Sequence, residues 1–326
     1  MSRQTKRRPE TERADIYQEI TDTIIAELEA GCPPWVRPWS ASTVPLALPR
    51  NATTERRYSG INIMLLWRAS VRQGFRSPYW LTFRQALEAG GNVRKGERGT
   101  SAVFANRFTP DVEKQRASDA GDEAKSISFL KRFTLFNAEQ CDGLDPRLMP
   151  DIEPDLAPQS ELITAAEELI TASGVVFIAG AADAFYLAAD DAIRLPSWQR
   201  FEDPLDRQRI CLHELIHATG HPSRLDRDLT NPFGSPGYAR EELIAELGAA
   251  FVCAALAIPP TVRHASYIAS WLDVLRDDKR AIFKAASAAS KAASWLLDRC
   301  DAQHGANAGD SATDTVPNLL EQQVAA

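Results

Sequence analysis

Ile16, Ile20, Ile24 and Leu28 recur at every fourth position and stop before Gly31, which lays them on one face of a helix. The same reading predicts a second helix over Ile61–Val71. A third begins at Thr82, which forms a capping-box pattern with Gln85, and stops at Gly90-Gly91. The period then shortens to two. Strands are predicted at Ser101–Phe108 and at Ser126–Phe136, where Ile127, Phe129, Phe133 and Leu135 alternate with polar positions. Between them Asp111–Lys125 is charged and poor in apolar residues, so an exposed loop is expected. Pro33-Pro34-Trp35 and Pro38-Trp39 form an irregular aromatic segment after the first helix.

Pro146, Pro150, Pro154 and Pro158 punctuate an acidic stretch that resists regular structure and divides the chain. Beyond it come a helix at Ser160–Ala172, a strand at Val175–Ile178, an extended stretch at Ala184–Leu187 and a short strand at Ala192–Leu195. Helices follow. One carries Leu212, Leu215 and Ile216 and ends near Thr219, before Gly220 and Pro222; another covers Tyr238–Phe251; an alanine-rich pair spans Tyr267–Leu297. The fold class is therefore α+β in two domains. The expected division is a disordered tail at 1–13, a domain at 14–144, a linker at 145–159, a second domain at 160–300 and a disordered tail at 301–326. No internal repeat is present.

A length of 326 residues allows each domain its own core. Net charge separates the halves: residues 1–150 hold 23 lysines and arginines against 18 acids, whereas 151–326 hold 14 against 26. Within 51–110 the balance sharpens to 10 basic residues against 3 acidic ones, interleaved with Tyr58, Trp67, Phe75, Tyr79, Trp80, Phe83, Phe104 and Phe108. Cations to follow phosphates and rings to stack bases are what a single-stranded nucleic-acid surface requires. The candidates are Arg56, Arg57, Tyr58, Arg76, Trp80, Arg94 and Lys95; core packing is favoured for Trp67 and Phe83. Cys32, Cys141, Cys211, Cys253 and Cys300 are odd in number, widely spaced and without a Cys-x-x-Cys pair, which speaks against a disulfide framework and a thiolate zinc site. A polar, basic start and the lack of any run near the roughly 18 apolar residues of a membrane span point to a cytoplasmic protein with no membrane partner.

The chemistry lies in His213-Glu214-Leu215-Ile216-His217. Residues four apart share a helix face, so both imidazoles reach one metal, and Glu214, about 100° round the axis, reaches a metal-bound water as general base. Zinc is the expected ion, with another divalent metal as the alternative. Glu242 is the expected third ligand, with Glu246 one turn on orienting a ligand histidine; His221 and Glu246 are the alternatives for the third place. His221 is offset by four residues from His217, whereas the metzincin pattern needs six. Glu241 reads as a solvated residue, and Tyr238 is a candidate donor to an oxyanion, weighed against a packing role at the helix start.

Both halves together resemble the ArdC-type antirestriction proteins of conjugative plasmids, whose N-terminal domain is shared with TraC-type plasmid primases. The resemblance covers about residues 14–300. It is carried by Trp35, Trp39, Ser59-Gly60-Ile61-Asn62, Trp67, Tyr79-Trp80-Leu81-Thr82, Gln85, Gly91, Val93-Arg94-Lys95-Gly96-Glu97, Phe136-Asn137, Gln140 and Gly143-Leu144 in the first half. In the second it is carried by His213 through His221 and Tyr238-Ala239-Arg240-Glu241-Glu242-Leu243. Two departures stand out: the acidic insertion Asp111–Lys125, and a third metal ligand assigned by spacing alone. The resemblance implies a single-stranded-DNA-binding domain joined to a zincin-like metallopeptidase domain acting on an unknown protein substrate, in a protein that protects incoming plasmid DNA from host restriction. The alternative is a single-stranded-DNA-binding protein whose metal site is structural or dispensable for protection. A primase or nuclease is disfavoured, since no acidic cluster suited to two magnesium ions accompanies the basic region.

Overall fold

The four-residue apolar spacing winds into helix α1 (Ile16–Glu29), opened by the Asp15 carboxylate, which accepts from the Tyr17 N–H at 3.0 Å. The structure is a computed structural model that describes residues 15–36, 47–124, 127–149, 157–261 and 267–310. The expected tail at 1–13, Trp39 and the centre of the expected linker lie outside the described residues. Helix α2 (Ile61–Gln73) closes on Gly74, whose φ of 75° suits glycine. Helix α3 (Phe83–Glu88) opens on the predicted capping box: Gln85 N–H donates to Thr82 Oγ1, and Thr82 N–H donates to Gln85 Oε1.

Strands β1 (Arg50–Asn51), β2 (Tyr79–Leu81), β4 (Thr100–Phe108) and β5 (Ile127–Asn137) form a sheet of order β1-β2-β5-β4, and β3 (Asn92–Val93) pairs with β6 (Cys141–Asp142) beside it. β4 and β5 run antiparallel, from Thr100 opposite Leu135 to Phe108 opposite Ile127. The expected loop at Asp111–Lys125 is corrected here, because most of it is helix α4 (Asp111–Ala120). Its charges pair along the helix, Lys114 with Asp111 at 2.9 Å and Arg116 with Glu113 at 2.8 Å, and Gly121 ends it at a φ of 70°. A helix supported by its own ion pairs shows no apolar stripe.

In the second half, α5 (Gln159–Ala172) leads into β7 (Val176–Ala179), β8 (Phe185–Leu187) and β9 (Ala192–Leu195). β9 is central, parallel to β7 and antiparallel to β8, so β8 is an edge strand. Helices α6 (Pro204–Ala218), α7 (Pro236–Ala255), α8 (Ile268–Asp277) and α9 (Ala281–Asp310) complete the fold. The tail expected from residue 301 is corrected in its first part: α9 continues through Asp310, with Cys300 buried and His304 3.3 Å from Glu168. Alanine, the strongest helix former, is the commonest residue of this helix.

The architecture is α+β, and its largest core draws on both halves. Ile24 and Leu28 of α1, and Ile63, Met64 and Trp67 of α2, join Leu212, Leu215, Phe251, Trp271 and Ile282 in one cluster. Trp67 meets Phe251 edge-on at 5.7 Å, and Trp35 meets Trp271 in the same way at 5.7 Å. Each such pair adds about 0.5–1.5 kcal/mol beyond the area it buries. A buried serine also crosses between the halves, since Ser290 Oγ accepts from the Gly60 N–H at 2.7 Å at the start of α2. All five cysteines are free. No helix among the described residues is long and apolar enough to cross a membrane.

Candidate metal centre and basic surface

Helix α6 starts where the Asp203 carboxylate accepts from the Leu205 N–H at 2.9 Å, and it ends where the Gly220 N–H closes on His217 O at 2.8 Å. His213 and His217 fall one turn apart within it, ring centroids 5.0 Å from each other. Helix α7 opens on Ser235, whose hydroxyl accepts from the Tyr238 N–H at 3.2 Å. Gly248 lets α7 lie close against α6, because a Cβ there would sit 2.9 Å from Ile216 Cδ1. That approach brings Glu242 between the imidazoles. Its Oε2 lies 3.6 Å from His213 Nε2 and its Oε1 lies 3.6 Å from His217 Nε2.

One ligand atom from each of the three residues lies within 4.8 Å of the others. Ligand atoms on a tetrahedral zinc, with bonds of about 2.0–2.2 Å, stand about 3.3–3.6 Å apart, so the donor set fits a metal ion. The charge argues the same way. Glu214, Glu241 and Glu242 line one cleft of about 690 Å³, and among the described residues no lysine or arginine lines it. Burial works to lower the His217 pKa, but the hydrogen bond to Glu241 and the charges of Glu241, Glu214 and Glu242 outweigh it and push the group up to about 9. Burial works to raise Glu242, yet a hydrogen bond from His213 and the charges of both imidazoles hold it down to about 2.

Glu241 is not solvated, contrary to expectation. His217 Nδ1 lies 3.1 Å from Glu241 Oε1, and Arg227 donates to the same carboxylate at 2.8 Å and 3.1 Å. Arg227 is fixed in turn by Ile216 O at 2.6 Å and Thr219 Oγ1 at 2.8 Å. Helix α7 is buried nearly all round, so the position beside Glu242 faces the end of α6 instead of water. Glu246 is also buried, 4% exposed, and borders a small cavity with His213. His221 falls outside the metal-sized group and sits 2.7 Å from Ser223 Oγ.

Glu214 is 6% exposed, and its Oε2 accepts from the Tyr186 N–H of edge strand β8 at 3.0 Å. Tyr186 is anchored through its hydroxyl, which donates to Asp191 at 2.8 Å, and Arg224 holds Asp191 bidentately at 2.7 and 2.9 Å. Tyr238 lines the cleft with its hydroxyl 3.2 Å from that of Tyr267. Burial, then the Tyr267 hydroxyl and the Glu242 carboxylate, raise its pKa and keep it protonated. Neither Arg227 nor Asp191 and Arg224 was foreseen, and no local pattern marks them, since each lies in a loop.

The basic candidates of the first half are spread over separate turns. Arg56 and Arg57 follow β1, Arg76 precedes β2, and Arg94 and Lys95 follow β3; all five are exposed. Arg94 is engaged by Glu97 at 2.8 Å and by Asp142 at 3.6 Å. Tyr58 is half-buried, and its hydroxyl accepts from Asn51 Nδ2 at 3.3 Å. Trp80 must be corrected: it is 0% exposed, packed edge-on against Phe75 within the sheet core, and has no free face for a base. Among the described residues of this half the exposed rings are Phe83 at 49% and Phe104 at 55%, although the pattern favours core packing for Phe83.

Two family models match the chain: the N-terminal domain of anti-restriction factor ArdC over residues 14–136, and a zincin-like metallopeptidase over residues 164–288. The uncharacterized protein y4eC of Sinorhizobium fredii is 38% identical over 303 residues, covering 92% of this chain and 97% of that one. A DNA primase TraC of Escherichia coli is 39% identical over 294 residues, 86% of this chain, yet this chain spans only 27% of the primase. The metal-free crystal structure of the antirestriction protein ArdC from plasmid R388 superposes with a TM-score of 0.72 at 38% identity, covering 88% of this chain and 98% of that one. Its Mn(II)-bound structure gives a TM-score of 0.70. Identity at this level over nearly the whole of both chains places the present chain in the ArdC family of antirestriction proteins.

Proposed function

We propose that this chain binds single-stranded DNA through its first half, hydrolyses a peptide bond in a protein substrate with its second, and protects incoming plasmid DNA from host restriction during conjugation. The observation that carries the peptidase reading is the His213, His217 and Glu242 set, with His213 and Glu242 buried and Glu214 bonded to the edge strand β8. The metal, zinc or the manganese bound by the R388 relative, would be held by those three residues and would supply Lewis acidity toward a carbonyl and a water.

Glu214 takes the proton of the attacking water and returns it to the departing amine, so one water is consumed and a carboxyl and an amino group are released. The Tyr186 N–H holds one oxygen of that carboxylate in place. Tyr238, which lines the cleft and is kept protonated, would donate to the developing oxyanion. Phe185 and Leu187 of β8 present apolar side chains, 41% and 37% exposed, along the cleft to an extended peptide, while the Tyr186 N–H between them stays with Glu214.

Glu214→Gln tests this reading. The variant should keep the parent's metal content and lose cleavage of a quenched-fluorescent peptide library; undiminished cleavage would overturn the mechanism. The same variant, carried into a conjugation assay with a restricting recipient, should lose protection. Full protection would instead favour a DNA-binding protein whose metal site is dispensable.

A further inference from the structure

We propose that a single DNA strand is held by its phosphodiester backbone in a cleft walled by α1, α2 and the β4–β5 pair. This rests on the reading that the first half binds single-stranded DNA. The cleft measures about 400 Å³ and is lined by Arg68 and Arg72 of α2, Arg98 before β4, and Arg132 of β5, with Glu19 of α1 opposite.

The charge is unbalanced in favour of an anion. Arg68 is paired with Glu27 at 2.6 Å, and Arg132 is paired with Glu19. Arg72 and Arg98 are exposed and form no ion pair among the described residues. Four guanidinium groups therefore meet two carboxylates, and the two unpaired forks match phosphate oxygens bidentately. Gly99 presses the backbone beside Arg98 onto β5: a Cβ there would lie 2.9 Å from Leu135 O. Arg98 thus emerges from a fixed floor. Arg94, by contrast, has its charge already answered by Glu97 and Asp142.

The test uses the full chain and a fluorescent oligothymidylate, with anisotropy read across a salt series. The double variant Arg72→Ala with Arg98→Ala should weaken binding about tenfold or more and lower the log–log salt slope by about 1.4, the value for two phosphates on a single strand. Glu19→Gln frees Arg132 and should tighten binding, a gain that damage to the fold would not produce. Millimolar thymidine monophosphate should not displace the strand; displacement would mean a free-phosphate site and overturn the proposal. If the parent binds and the double variant binds equally well with the same slope, the cleft is wrong while the DNA-binding reading stands. A parent chain that fails to bind the oligonucleotide removes both.

Discussion

His217 is gripped from behind by Glu241: Nδ1 and Oε1 are 3.1 Å apart, and the opposite ring nitrogen faces Glu242 at 3.6 Å. Once the ring gives up its second proton, the one held on Nδ1 by that carboxylate leaves the Nε2 lone pair directed at the place a metal would occupy. Glu241→Ala should therefore lower zinc and manganese affinity by about 10–100-fold, measured by competition with a chelating dye. Glu241→Gln, which keeps an acceptor, should lose less. Equal affinity in both variants would remove Glu241 from this role.

Metal uptake should release a proton. The carboxylates around His217 raise its pKa to about 9, so the metal-free imidazole is charged at neutral pH and must deprotonate to ligate. Affinity should rise with pH and level off above about 9. Calorimetric titration at pH 7 in buffers of different ionisation enthalpy should count about one proton per metal bound. In the metal-free chain the sign reverses: the stability contributed by charged His217 is fully present below its ordinary value of 6.5 and is lost as pH rises through about 9.

Gly248→Ala should destabilise the chain and weaken metal binding together. Alanine gains about 1 kcal/mol of helix propensity, but its methyl group meets Ile216 at 2.9 Å, and overpacking costs about 1–3 kcal/mol. The added group pushes α7 from α6 and Glu242 from the histidines. Ile216→Val in the same chain should recover part of both losses in a double-mutant cycle.

Trp80→Ala should cost about 3–5 kcal/mol in urea unfolding, as expected for a fully buried aromatic residue. The folded fraction should keep the parent's affinity for oligothymidylate. A specific loss of binding at full stability would return Trp80 to the DNA surface.

Much of this was readable in the chain. The four-residue period of α1, the Thr82 capping box and the His213–His217 pair depend on local spacing, which helix geometry converts directly into position. Glu242 was reachable because its helix carries apolar residues around the axis and leaves few carboxylates to choose from. Glu241 was misjudged for the same reason applied incompletely, since a helix buried all round leaves no solvated face. Trp80 was misread because a three-residue strand gives no period from which to separate inside from outside, and β2 lies in the sheet interior. Helix α4 carries no apolar signal at all. Arg227, Asp191 and Arg224 reach the site from loops, where position is set by tertiary packing alone.

Helix α1 belongs to both ends of the molecule. Ile24 and Leu28 are embedded in the core that contains Trp271 and the metal-bearing helices, while Glu19 and Thr23 border the arginine cleft. Arg276 and Lys279 tie its two ends to the region of α8 through Glu29 and Asp15. A substitution that shifts α1 should therefore be felt both at the arginine cleft and in the core that carries the metal helices. By reciprocity, whatever factor a bound metal imposes on the strand's affinity, a bound strand imposes on the metal's.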